Sequence, residues 1–245
     1  MVAWLGDPGL MNRRRWNIKR IRQRHVGYRY VLGLLVVLLL AQPLAHAAPL
    51  LNCGLVILLA TFLMVGLTRV TPLLNSRIPA YCLGCLAIAL EIPYAVMIKQ
   101  AISPGFAFTF AHVVAWIAFF GLYLFRMVRA LVREPYVTTS VVMGAASGYL
   151  LIGFSGGIVL DALMYLKSDS FAPLKDVYNS SDGVILRLPQ MILGSFGYLT
   201  SVGTHALVPV SLEAQVICTL ITIVGQLYIA IMIGLMLGRF HHRRG

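Results

Sequence analysis

A run of small and polar residues, Thr200-Ser201-Val202-Gly203-Thr204-His205-Ala206, holds the residue types that could do chemistry within an otherwise apolar part of the chain. It offers hydroxyl groups and one imidazole, and its residues follow no helical period. Irregular backbone is tolerated at membrane depth only where protein buries it or where it faces water. The run therefore predicts a loop that is enclosed by protein or exposed to a water-filled path.

Motifs for other kinds of chemistry are not found in the sequence. It contains no phosphate-binding loop, no nucleophile elbow and no His-Glu-x-x-His motif. Cys82 and Cys85 have the spacing of a metal-binding pair, but no second pair or nearby histidine completes four ligands. We therefore expect no enzyme activity, no catalytic residues, no metal site and no cofactor.

The composition indicates what surrounds this loop. Of the 245 residues, 59% are hydrophobic and 11% are charged, and the mean hydropathy is +0.84. A soluble domain carries about 25% charged residues, so the composition predicts a membrane protein. At roughly 20 apolar residues per crossing, the sequence has room for six transmembrane helices. They are predicted at Val31–Ala48, Leu50–Thr68, Ala80–Ile98, Phe106–Phe125, Tyr136–Leu166 and Ser211–Gly238.

The segment before the polar run differs from these six crossings. Gly183–Leu199 is apolar, but it is short and is interrupted by Pro189. A short helix followed by irregular backbone, between two full crossings, is typical of a re-entrant pore loop. The predicted fold is an all-α membrane protein with six transmembrane helices and a re-entrant pore helix and loop between helices five and six.

Four parts of the chain follow from this division. Residues 1–30 are predicted to form a basic cytoplasmic N-terminal segment, and residues 31–133 a four-helix transmembrane domain. Residues 134–240 form the predicted two-helix pore-loop domain, and residues 241–245 a basic tail.

Basic residues predict the orientation in the membrane. With the N-terminus inside, sixteen of the twenty Lys and Arg residues lie on the cytoplasmic side and four lie outside. Such an asymmetry follows the positive-inside rule. We expect a multi-pass protein of the cell inner membrane with both termini in the cytoplasm.

The basic N-terminal segment ends where the first apolar segment begins. This position favours contact with anionic lipid headgroups over nucleic acid, which is not expected as a partner. The residues predicted to anchor the chain to lipid are Arg13, Arg14, Arg15, Lys19 and Arg20.

Three blocks in the second half resemble the bacterial six-transmembrane pore-loop potassium-channel family. Ser195-Phe196 with Leu199–Gly203 is similar to the end of a pore helix that runs into a selectivity filter. Pro209-Val210 matches the pair that commonly follows the filter. Gly225–Ala230 is similar to the Gly-Gln-Leu-Tyr stretch that lines the pore, which implies pore-lining roles for Gly225, Gln226 and Tyr228. Phe106–Phe125 contains no lysine or arginine, so the first half is not expected to sense voltage.

The filter departs from the family pattern Thr-Val-Gly-Tyr-Gly-Asp. The resemblance assigns ion conduction to residues 200–205, in which four chains present rings of backbone carbonyls to the ion. Thr204 stands where the family has tyrosine, His205 replaces a glycine, and Ala206 replaces the carboxylate at the outer mouth. The assigned filter residues are Thr200, Ser201, Val202, Gly203, Thr204 and His205. We expect the pore to lack strong potassium selectivity.

Two functions are consistent with this degenerate filter. The chain is either a homotetrameric, poorly selective channel or a non-conducting pseudochannel that serves as an accessory subunit beside other membrane proteins. Outside the loop, Glu91 is the acidic residue in the middle of a predicted crossing. Such an acid is a functional candidate, and the structural alternative is a protonated carboxyl bonded to a neighbouring helix.

Overall fold

The computed structural model describes residues 26–45, 49–70, 78–100, 102, 105–133, 137–172, 183–203 and 207–241. Within these ranges the chain is mostly helical. The helices are α1 (Val26–Leu40), α2 (Gln42–Ala45), α3 (Pro49–Val70), α4 (Ile78–Lys99), α5 (Phe106–Arg133), α6 (Thr139–Leu166), α7 (Gly183–Leu199) and α8 (Leu212–His241). Two short strands, β1 (Phe171–Ala172) and β2 (Val208–Pro209), pair antiparallel.

Within the part of the chain that the structure describes, four helices are long and apolar enough to cross a membrane. These are the stretches Ile78–Met97, Phe106–Val132, Thr139–Leu166 and Leu212–Gly238. By length and composition, the chain is therefore an α-helical membrane protein, as its sequence predicts. The first two predicted crossings correspond to shorter apolar stretches, Val26–Leu40 and Cys53–Val65. Six crossings remain a prediction.

The first predicted crossing, Val31–Ala48, is not one continuous helix. α1 is helical from Val26 onward and ends at Leu40, and α2 follows after a turn at Ala41. Pro43 explains the break, because proline lacks a backbone donor and its ring clashes with the carbonyl four residues earlier. The Gln42 side-chain amide donates to Leu38 O over 2.8 Å, so a carbonyl in the last turn of α1 is satisfied.

Large side chains of α5 fill the core of the first half. Trp116, Phe119 and Phe120 are buried, and their rings lie in contact with one another. Helices α1, α3, α4 and α6 pack around this aromatic group. Their buried residues include Leu35, Leu59, Leu63, Ala87 and Leu151.

A second core lies between α6, α7 and α8. It includes Leu160 and Met164 of α6, Met191 and Leu199 of α7, and Cys218 of α8. The shortest of these helices, α7, has 17 residues and contains Pro189. It is shorter than the roughly 20 residues that a crossing requires, and its main packing partners are α6 and α8.

Candidate functional site

Glycines of α6 form the surface on which α7 rests. A Cβ added at Gly157 would lie 2.7 Å from the backbone Cα of Ile192, a distance that real Cβ atoms do not reach. A Cβ at Gly153 would collide with the ring of Phe196, and one at Gly156 with the hydroxyl of Ser195. The absence of side chains at these three positions allows the two helices to approach closely.

A buried hydrogen bond fixes α7 on this surface. Ser195 Oγ donates to Gly153 O over 2.8 Å, and Ser195 has no exposed surface. The rings of Phe154 and Phe196 pack edge to face, with centroids 5.5 Å apart. The close approach of the two helices and the hydrogen bond together fix the position and rotation of α7 against α6.

The chain reverses direction where α7 ends. Ser201 has φ of 61° and Gly203 has φ of 73°, and Ser201 is the one non-glycine residue with positive φ within the described ranges. The Gly203 N–H donates back to Gly197 O over 2.9 Å, which closes the turn. The left-handed conformation costs a residue with a Cβ roughly 1–2 kcal/mol, so the surrounding contacts must hold Ser201 in place.

Side chains from both neighbouring helices satisfy the last carbonyls of α7. A helix leaves its final carbonyls without intrahelical partners. Tyr149 of α6 donates its hydroxyl to Leu199 O over 3.1 Å. Thr222 of α8 donates to Tyr198 O over 2.9 Å. Gly225 of α8 lies under the same Leu199 carbonyl, where an added Cβ would approach to 2.6 Å.

Gln226 connects α8 to the polar run itself. Its Nε2 donates to Ser201 Oγ over 2.7 Å, and both residues are exposed at the surface of the chain. The neighbouring Val202 has 84% of its surface exposed. Ser201 and Val202 therefore face away from the protein core.

The far end of the polar run is also held. Tyr198 donates its hydroxyl to Leu207 O over 2.6 Å. Val210 N–H donates to Ser170 O over 2.8 Å, beside the β1–β2 pair. Lys167 and Glu213 form an exposed ion pair of 3.0 Å across the same junction. Both ends of the run are thus tied to α6, α7 or α8.

Some of the residues that the sequence assigns to a site lie within the described part of the chain, and others lie outside it. Thr200, Ser201, Val202 and Gly203 lie together at the end of α7. Thr200 Oγ1 donates back into its own helix, to Phe196 O over 2.9 Å. Thr204 and His205 lie outside the described residues. The predicted lipid anchors also lie outside them: Arg13, Arg14, Arg15, Lys19 and Arg20.

The three residues assigned to a pore lining do not share one face of α8. Gln226 is exposed, whereas Gly225 is buried against α7. Tyr228 points toward α6, where its hydroxyl donates to Ala145 O over 2.8 Å. Of the three, only Gln226 presents its side chain on the open surface of the chain.

Sequence reasoning missed several residues that hold the loop. Tyr149, Thr222 and the Lys167–Glu213 pair carry no motif, because their roles depend on how the helices align. The glycines of α6 did carry a signal. Gly156 and Gly157 follow Gly153 by three and four residues, which places all three on one helix face.

Comparison with protein-family models, with curated proteins and with solved structures finds no match to this chain.

Proposed function

We propose that the chain is an ion-channel-like membrane protein in which α7 is a re-entrant pore helix and Ser201–Gly203 is the inner part of a degenerate filter. The observation that carries this proposal is the way α7 is held. A 17-residue helix lies between two long apolar helices and ends in a reversed loop that α6 and α8 support by hydrogen bonds. This arrangement supports a loop whose backbone is positioned for binding ions.

The exposed face of α8 supports the same proposal. Gln215, Thr219 and Gln226 are exposed, and their spacing places them on one side of the helix. Only 22% of the α8 crossing is buried inside the chain. Polar side chains are costly against lipid, so this stripe favours a water-filled path or another protein subunit. Four copies around one axis would place the stripe along a shared pore.

The expected pore is a poorly selective one. The sequence replaces the last three of the six family filter residues, at Thr204, His205 and Ala206. The proposed assembly therefore retains carbonyl groups at its inner end and lacks the family's outer residues. We expect it to pass potassium and sodium at similar rates.

Ion flux into liposomes tests this proposal. The purified chain is reconstituted, and potassium and sodium uptake are each followed with a voltage-sensitive dye. The matched variants are Gly203→Ala and Gly234→Ala. An added Cβ meets nothing within 4 Å at either glycine, but Gly203 alone has positive φ. Gly203→Ala should distort the loop and lower the flux, whereas Gly234→Ala should leave it unchanged.

Three results would contradict the proposal. They are a strong preference for potassium, equal flux through both glycine variants, and no flux in the unaltered chain. Absence of flux favours the second candidate function, a non-conducting accessory subunit. One observation supports that alternative: the hydroxyl of Ser201 already accepts the Gln226 amide, which competes with an ion for its lone pairs. In that case the chain should copurify with other membrane proteins in mild detergent.

A further inference from the structure

A cluster of polar side chains is buried between α4 and α5, away from the loop. Glu91 of α4 and His112 of α5 lie 2.7 Å apart, with 9% and 7% of their surfaces exposed. Trp116, one turn beyond His112, donates its indole N–H to Glu91 Oε2 over 2.9 Å. The ring of Tyr94 stacks on His112, with centroids 4.2 Å apart.

Two ring nitrogens, His112 Nε2 and Trp116 Nε1, converge on one oxygen of Glu91. Trp116 Nε1 is only a donor, and Glu91 Oε2 is its nearer acceptor, since His112 Nε2 lies at 3.1 Å. All three groups are satisfied when His112 Nε2 also donates to Oε2. This tautomer is assigned from the hydrogen bonds. In this tautomer the carboxylate of Glu91 is an acceptor, and His112 Nδ1 is the position open to a further proton.

The cluster contains an excess negative charge until that proton arrives. A carboxylate beside a neutral imidazole has a net charge of −1, and a buried charge is unfavourable unless it is paired. A proton at Nδ1 converts the pair into a neutral ion pair within the same hydrogen bond. The stacked Tyr94 ring also attracts a cation, because its centroid lies well within the distance for a cation–π contact.

We propose that Glu91 and His112 form a proton-binding site within the membrane-spanning part of the chain. The proton is taken from water by His112 Nδ1, and the carboxylate of Glu91 stabilises the resulting imidazolium through Nε2. The site lies near one end of both helices. His112 is six residues from the start of α5, and Glu91 is eight from the end of α4. At 1.5 Å per residue, protons need to travel roughly 10 Å from the helix ends.

The neighbouring helices also carry titratable groups. α3 contributes the Cys53 thiol, which lies close enough to interact with the charge on Glu91. α6, which packs on α5, carries the buried carboxyl group of Asp161. Along α5 itself, Tyr123 and Arg126 lie several turns beyond His112.

Trp116 provides a reporter within the site. The chain has three tryptophans, and Trp4→Phe with Trp16→Phe leaves Trp116 as the only indole. Because a protonated imidazole quenches an adjacent indole, emission should fall along a one-proton sigmoid between pH 8 and pH 5, where histidine changes charge. His112→Gln should abolish the sigmoid. Glu91→Gln should displace the midpoint of the sigmoid, since the carboxylate no longer stabilises the imidazolium.

The matched control is Asp161→Asn, which removes a buried carboxyl group on α6 and leaves both members of the pair unchanged. Its titration midpoint should equal that of the single-tryptophan parent. If His112→Gln does not fold, the shift in Glu91→Gln carries the test. Three results would overturn the proposal. They are emission that stays constant over this pH range, a sigmoid that persists in His112→Gln, and a midpoint that shifts in Asp161→Asn. The test does not depend on ion flux, so it stands apart from the proposed channel function.

Discussion

Helices α4 and α5 are joined mainly by side chains, whereas α7 meets α6 and α8 through the backbone. In the first half, Glu91, His112 and Trp116 bond to one another amid large aromatic rings. In the second half, glycines allow close approach, and most bonds between helices end on a backbone carbonyl. Flexible side chains can adjust to a substitution, but a backbone contact cannot. The position of the loop should therefore be more sensitive to small changes in volume than the first half.

The largest effect is expected for Gly157→Val. Its side chain would meet the backbone of Ile192, which cannot move without displacing α7. Overpacking of this kind costs roughly 1–3 kcal/mol and occasionally more. The variant should lose its folded state, measured as a loss of monodisperse protein in size-exclusion chromatography. Gly121→Val on α5 is the control, because an added Cβ there meets nothing within 4 Å. Equal yields of the two variants would contradict this comparison.

A smaller loss of stability is expected for Glu91→Ala. It removes the oxygen that His112 Nε2 and Trp116 Nε1 share in a buried site. An unsatisfied buried donor costs about 1–3 kcal/mol, so the midpoint of thermal unfolding in detergent should fall by several degrees. Glu91→Gln retains an acceptor oxygen, so its unfolding midpoint should fall less. The same midpoint for both variants would show that the bonds to Glu91 do not hold α4 against α5.

Ser195→Ala tests a single bond between α7 and α6. The substitution removes the donor to Gly153 O and hardly changes the volume of the side chain. The expected loss is about 1 kcal/mol. Ser155→Ala is the matched control, since Ser155 Oγ donates to Leu151 O within its own helix. In thermal unfolding, the midpoint of Ser195→Ala should fall more than that of Ser155→Ala. An equal or larger loss of stability in Ser155→Ala would contradict the claim that bonds to backbone carbonyls hold α7 against α6.

The smallest effect is expected for Lys167→Ala. The ion pair between Lys167 and Glu213 is about half exposed on both sides, and exposed pairs contribute little to stability. Stability should change little, and the difference should shrink further in high salt. Unfolding curves at low and high salt provide the measurement. A large loss that persists in high salt would mean that the junction between β1 and β2 depends on this pair.

Apolar segments in the sequence predicted most of the helices well. The bounds Gly183–Leu199 agree with those of α7, and the predicted start at Phe106 agrees with that of α5. The predicted segment Val31–Ala48 did not include the break after Leu40, because its apolar residues continue through Pro43, where the helical hydrogen bonding is interrupted. Hydropathy reflects how apolar the residues of a segment are, and it does not detect that proline lacks a backbone N–H.

The contacts of the candidate site were less predictable than its position. The polar run after α7 was evident from residue types, and Ser201 and Gly203 lie where it begins. The bond from Gln226 to Ser201, and those from Tyr149 and Thr222 to α7, depend on the relative rotation of three helices. The helical period shows which residues share a face, but it does not show which helix that face meets.

The number of chains in the membrane assembly tests the central proposal most directly. Native mass spectrometry of the protein extracted in lipid nanodiscs measures this number without requiring ion flux. The proposed pore predicts four identical chains, with a protein mass about four times the 26.9 kDa of one chain. A mass of one chain, or of one chain bound to unrelated subunits, would contradict a pore formed by four copies of the loop at Ser201–Gly203.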